Sequence, residues 1–369
     1  MILSAAWFRK VVVIISSASL SSVWNGAWPI ILSILFFGFI IFIHELGHFT
    51  FAKIFKVKVN EFSIGMGPAL FKKKTSETLY CLRALPIGGY VAMEDEQTDG
   101  AKGGTFDSKP VYQRALILCA GGFMNLLLGF ILLCIILSQG LIGTPVISQF
   151  SSGASSHKTG LEQGDRIIAV NGNKIYTQTD LSFFVMNDKD GIMDMTVIRD
   201  GKTKVLRSVK FASYKKNGST VIKYDFSIIG VKPNFSNIMK YSFLETGSMA
   251  RIVLVSLKDL ITFNLDLSEL SGPVGIVGLM SDTAKASEST ADYSGLFTIQ
   301  ALITINLGVF NLLPLPALDG GKLFFVLLEG ITRKKASKKL LQSFDAAGFA
   351  LLLVLMIIVT FNDIGNLIK

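Results

Sequence analysis

His44-Glu45-Leu46-Gly47-His48 sets two imidazoles four residues apart, with a carboxylate directly after the first. On a helix, residues four apart share one face, so both rings can reach a single metal ion. Glu45 stands about 100° round that helix from His44, near such an ion without having to bind it. A base belongs there, because zinc lowers the pKa of its water towards about 7 and a carboxylate can carry the proton to a leaving amine. Catalytic zinc takes three protein ligands and keeps one position open. The chain has three histidines, and the remaining one, His157, falls in a region expected across the membrane from the other two. The third ligand is therefore expected to be a carboxylate. The candidate is Asp319, in Asn311-Leu312-Leu313-Pro314-Leu315-Pro316-Ala317-Leu318-Asp319-Gly320-Gly321. Two prolines break the helix there, which lipid tolerates only where protein or a water-filled cavity satisfies the freed backbone groups. Gly320-Gly321 lets the chain turn closely. The competing reading of Asp319 is a cap for the helix that follows. Asn306 and Asn311 are further polar groups on the approach, costly in lipid.

The elements that must hold these residues are membrane helices. Half of the 369 residues are apolar and only 17% are charged, as in a membrane protein with one extramembrane domain. The net charge of +9 comes from lysines that are scattered or flank apolar runs, so it reads as membrane anchoring and not as a nucleic-acid face. Four spans are expected, at residues 28–51, 115–137, 295–313 and 346–361, each near the roughly 20 residues that cross a bilayer. An HExxH arising by chance would have to explain three polar side chains inside the first of them.

The short loop 332–343 carries Arg333, Lys334, Lys335, Lys338 and Lys339 and no acid, which places it in the cytoplasm. Residues 139–292 then lie outside and 52–114 inside, with Lys53, Lys56 and Lys58 in agreement. The arm 1–27 reads either as an uncleaved signal-like segment or as an interfacial helix. Residues 57–93 alternate like strands, with turn signals at 64–68 and 86–89, and predict β-hairpins leaning on the membrane. A small soluble domain is expected over 141–215, with strands at 166–170, 195–198 and 204–209, turns at Asn171-Gly172 and Asp200-Gly201, and a helix over 181–186. Residues 235–265 suit an amphipathic surface helix, and 281–292 a loop. Cys81, Cys119 and Cys134 form no CxxC and read as buried free thiols.

HExxH in a first span paired with NxxPxPxLDGG in a third resembles the site-2 protease family of intramembrane zinc proteases, and within it the bacterial regulator-of-sigma-E protease branch. The likeness extends over most of the chain. It implies His44, His48 and Asp319 as zinc ligands and Glu45 as catalytic base. Asn306 and Asn311 resemble the asparagines that handle the substrate backbone. Residues 85–93, with Gly88, Gly89 and Tyr90, resemble the membrane-associated β-loop that pairs with the substrate strand. Gly160-Leu161-Glu162-Gln163-Gly164-Asp165 resembles the GLxxGD signature of a PDZ domain. Three departures stand out: one PDZ-like unit where Gram-negative members carry two, Gly122 in place of a proline, and Ser152-Gly153-Ala154 in place of Ser-Pro-Ala.

The expected molecule is a polytopic α-helical membrane protein with about four transmembrane helices, membrane-associated β-hairpins and one extracytoplasmic α/β PDZ domain. Its parts are the arm 1–27, the first two spans with HExxH and β-loop 28–138, the PDZ domain 139–215, a membrane-surface region 216–292, and the last two spans 293–369. The expected activity is zinc-dependent cleavage of single-span proteins, such as anti-sigma factors or signal-peptide remnants, in the bacterial cell (inner) membrane. The PDZ domain would bind a newly exposed C-terminus, exclude bulky substrates, or act as a spacer. Two alternatives are a metal-ion transporter, since intramembrane His and Asp also line ion paths, and an idle PDZ scaffold.

Overall fold

The computed structural model describes residues 20–94, 104–216, 219–262 and 272–368; the arm as far as residue 19 and Ser271 lie outside them. In chain order the elements are α1 (Leu20–Ile54), β1 (Val59–Lys74), β2 (Leu79–Met93), α2 (Val111–Ser138), β3 (Ile142–Phe150), α3 (Ser155–Lys158), β4 (Arg166–Val170), β5 (Asn173–Lys174) and α4 (Gln178–Met186). They continue with β6 (Ile192–Arg199), β7 (Lys202–Lys210), β8 (Ser213–Lys216), β9 (Ser219–Ile222), β10 (Phe226–Val231), α5 (Phe235–Ile261), α6 (Pro273–Thr290), α7 (Ser294–Leu312), α8 (Asp319–Thr332) and α9 (Lys338–Ile368). Four stretches are long and apolar enough to cross a bilayer: Ala27–Ile54, Val111–Ser138, Ser294–Leu312 and Lys339–Asp363. They coincide with the four expected spans, the first three to within four residues at each end and the fourth starting seven residues earlier than expected. The first helix starts at Leu20, so residues 20–27 of the expected arm continue it. Leu351, Val354 and Ile357 are all more than half exposed on α9, a liability in water and ordinary in lipid.

One compact unit comprises residues 1–124, 267–299 and 310–369. Its sheet is built from β1 and β2, in which residues 61–64 pair with 89–92 on one side and 79–82 on the other. The turns expected at 64–68 and 86–89 lie inside continuous strands. Gly65, Gly67 and Gly88 take φ of +84°, +83° and +80° there and the register shifts. The glycines that mark turns in a sequence also make bulges. Residues 281–292 are not the expected loop, since α6 runs to Thr290. Met280, Ala284 and Ser287 are buried on one of its faces; a helix of mostly small and polar residues has the composition of a linker. Asp363 of α9 accepts hydrogen bonds from the Gly272 N–H (3.1 Å) and the Gly275 N–H (2.8 Å) and so satisfies the start of α6.

The other unit comprises 125–266 and 300–309. Its main sheet runs β10-β3-β4-β6-β7, with β5 beside β4, over a core that includes Ile147, Leu161, Leu181 and Met193. The expected strands, helix and two turns are all present, but β3 and β10 extend the sheet, and β10 ends at Val231, past the expected limit of 215. β10 pairs only with the sequence-distant β3 among the described residues, and such pairing leaves no local signal. Helix α5 lies where the amphipathic helix was expected.

Candidate metal centre

α1 carries His44 and His48 one turn apart, and their Nε2 atoms are 3.2 Å from each other. Asp319 Oδ2 lies 3.0 Å from each of those nitrogens. Both histidines are buried, and Asp319 is 22% exposed. Among the described residues these three side chains form a group able to hold a metal ion. A tetrahedral ion with bonds of about 2 Å needs donors roughly 3.3 Å apart, so the triangle is of the right size.

The donor chemistry also asks for a cation. His48 Nδ1 is 2.8 Å from the Ile117 carbonyl, which can only accept, so the neutral ring carries its hydrogen on Nδ1. Its Nε2 then turns a bare lone pair on a carboxylate oxygen 3.0 Å away. Two acceptors at that distance repel unless a metal ion or a second ring proton lies between them. The bond to Ile117 also fixes the ring plane, as the outer partner of a metal-binding histidine does.

Space for an ion comes from a residue that sequence reasoning did not single out for this role. A Cβ on Gly121 of α2 would stand 2.3 Å from His48 Nε2 and 2.7 Å from His44 Nε2. A Cβ on Gly47 would stand 2.5 Å from the Ala120 carbonyl oxygen. Paired small residues are how helices approach closely in lipid, and Gly121-Gly122 on a span was the available signal. The Ile117 carbonyl, a backbone group, left none.

Asp319 is the first residue of α8 but does not cap it. The N-cap is Leu318, without a side-chain bond. A Cβ on Gly320 would be 2.0 Å from the Leu313 carbonyl oxygen, and one on Gly321 2.4 Å from that of Leu315. The Pro-broken backbone thus packs directly on the start of α8. Further along, Arg114 of α2 donates from Nη1 to Glu329 Oε2 (3.0 Å) and from Nη2 to Oε1 (2.6 Å). The Ala317 N–H reaches Asp345 Oδ1 of α9 at 3.3 Å. These contacts hold the Asp319 carboxylate on the two rings.

Glu45 is half-buried. A Cβ on Gly89 of β2 would be 3.0 Å from Glu45 Cγ, so the β2 backbone runs against that side chain. Gly88 is at a bulge, and the Tyr90 hydroxyl donates to Glu61 Oε1 at 2.7 Å. Asn311 is buried. Asn306 Oδ1 is buried without a hydrogen-bond partner among the described residues.

The remaining expected residues belong to the second unit and shape its fold. Gly160 and Gly164 have φ of +120° and +89°, and Leu161 is in the core. Asp165 is fully buried and takes Arg199 Nε (2.7 Å) and Nη2 (2.6 Å). His157 bonds the Leu161 carbonyl. Of the three free cysteines only Cys81 is buried; Cys119 and Cys134 are half-buried.

Residues 32–355 match the family described as Peptidase family M50. A protein of Clostridium acetobutylicum named as a candidate zinc metalloprotease is 37% identical over 91% of this chain and 97% of its own length. The zinc metalloprotease RasP of Geobacillus kaustophilus is 31% identical over 91% and 97%. The regulator of sigma-W protease RasP of Bacillus subtilis is 29% identical over 92% and 98%.

Proposed function

The chain belongs to peptidase family M50, and from that premise we propose that it cuts single-span membrane proteins within the bilayer, using His44, His48 and Asp319 as zinc ligands and Glu45 as base. It is a zinc metalloprotease and a multi-pass membrane protein. The observation that carries the ligand assignment is the convergence of two Nε2 atoms and one carboxylate oxygen within 3.2 Å, from helices far apart in sequence. When bound, zinc supplies a Lewis acid that polarises a carbonyl and makes water acidic near neutral pH. The Glu45 carboxylate takes the proton of the attacking water and hands it to the nitrogen of the departing amine.

A helix hides its amides, so the substrate must open locally into an extended strand. Residues 89–93 have no strand partner on their outer side among the described residues, and Gly89 lies against Glu45. A substrate strand added at this edge brings its peptide groups to the base. Asn306, whose Oδ1 has no hydrogen-bond partner among the described residues, and Asn311 are assigned the task of bonding the substrate backbone.

The second unit is read as an extracytoplasmic PDZ domain that gates entry, either by binding a new C-terminus or by excluding bulk. The GLxxGD turn, in which Leu161 and Asp165 are buried, supports its fold. The basic loop 332–343 supports the orientation in the bacterial inner membrane. Anti-sigma factors are the favoured substrates, because one relative is named for regulating sigma-W; signal-peptide remnants share the needed single span.

The test is Glu45→Gln assayed on model transmembrane peptides together with metal analysis. Zinc content is expected to stay at the wild-type level while cleavage disappears. Cleavage at the wild-type rate would remove Glu45 from the mechanism.

A further inference from the structure

α1 has a second functional face. Phe42, Leu46 and Phe49 project roughly 140° away from the His44–His48 pair. There they line a cavity of about 390 Å³, closed on the other side by Phe62, Phe71 and Leu82 of the sheet. That volume is in the range of roughly 300–1,000 Å³ that holds small ligands. The lining is almost wholly apolar, and the cavity is open: Phe71 is 61% exposed and Leu82 47%.

One end of this apolar slot is cationic. Lys73 follows Phe71 by two residues and so shares its face of the strand, opposite Tyr80 in the register. Lys72, Lys73 and Lys74 are exposed, with no ion-pair partner among the described residues. Lys53 Nζ lies 5.9 Å from the centroid of the Phe49 ring. Its carboxylate partner Glu77, at 3.0 Å, is 66% exposed, a contact that water and salt weaken. An apolar slot ending in ammonium groups complements an amphiphile with an anionic head.

We propose that the cavity seats an acyl chain of an anionic phospholipid, with the headgroup phosphate on Lys73 and Lys53. The site stands apart from the metal centre, on the opposite side of the same helix. It makes the bilayer a bound ligand of the protease as well as its solvent, and it braces the sheet against α1.

The experiment is native mass spectrometry of the full chain released from vesicles of phosphatidylglycerol and phosphatidylcholine in equal amounts. Wild type is expected to retain phosphatidylglycerol over phosphatidylcholine by roughly thirtyfold, the preference that two lysines at about 1 kcal/mol each give for a net-anionic headgroup over a zwitterionic one. The Lys53→Gln/Lys73→Gln variant, altered only at polar surface positions, should lose that preference while keeping its zinc. Leu82→Trp, which fills the mouth, should retain less of both lipids. Equal retention of the two lipids by wild type overturns the proposal. So does an undiminished preference in the double variant, or a photo-crosslinker at Phe71 that captures substrate peptide and no lipid.

Discussion

At the scale of single residues, the candidate metal centre depends as much on an absent atom as on the three side chains that converge there. Gly121→Ala puts a carbon 2.3 Å from where His48 Nε2 stands, closer than any real contact. Zinc content is expected to fall at least about tenfold, comparable to losing an outer-shell partner, while the circular dichroism of the helices is unchanged. Metal analysis of the purified variant checks this, and full occupancy would show that α1 and α2 can part without cost. The three converging side chains were legible, because HExxH is a local pattern and a carboxylate after a proline-broken span is a candidate third ligand. Gly121 was harder to read. A glycine in an apolar helix announces a close approach but not what approaches, and only the packing of α2 on α1 gives it a partner.

At the scale of elements, two helices are held by buried charge. The Arg114 side chain is 6% exposed and that of Glu329 16%. Arg114→Ala leaves the half-buried carboxylate without its bidentate partner, at a cost below the roughly 3–5 kcal/mol of a fully buried pair, and loosens the helix whose first residue is Asp319. Weaker zinc affinity in a competition with a chelator is the expected result, and Arg114→Lys should restore it only in part because an ammonium cannot make both bonds.

In the second unit, α5 packs on α4 around Asp180. Asp180 accepts from the Ser248 hydroxyl at 2.8 Å and has Arg251 Nη2 at 2.6 Å. The Arg251 guanidinium also lies over the Tyr176 and Phe184 rings. Beside this pair, Glu245 is buried among Thr177, Thr179 and Asp180, and burial pushes its pKa from about 4.5 up to about 7. The folded state therefore holds this proton more tightly than the unfolded chain. Stability from the neutral carboxyl is complete below about pH 4.5 and is lost as pH rises through about 7, a change on the order of 3 kcal/mol. The protection factors of α5 amides, exchange corrected for its base-catalysed intrinsic rate, are expected to fall on the alkaline side, and Glu245→Gln should flatten that dependence. An unchanged slope in the variant would assign the pH response to another group. The amphipathic pattern of α5 was readable in the sequence, but its polar anchor was not, since Asp180 and Glu245 are 65 residues apart and look like ordinary surface acids.

At the scale of the whole molecule, the second unit sets what a truncation can show. Its sheet needs β10, which pairs with β3 along residues 226–231. Removing 141–215 takes away β3 and strands β10 as an unpaired, sticky edge, so that protein is expected to aggregate. Removing 141–231 is the cleaner cut, and with it the protease should accept substrates whose outer portions are bulky, read as cleavage of a panel graded by size. Unchanged selectivity would make this unit a spacer. The order of membrane helices and the local strands of this unit were plain from hydropathy and turn residues. Its closing strand was not, because non-local pairing is written in no short window.

The distance along the chain between the proposed ligands has a consequence for biosynthesis. Asp319 is 271 residues beyond His48, so a ribosome must translate and insert most of the polypeptide before the last donor exists. A partly made molecule has both imidazoles and the base but nothing to complete the grip on the ion. On this assignment of ligands the hydrolase stays unarmed in the translocon, among the very nascent helices it would otherwise be able to cut.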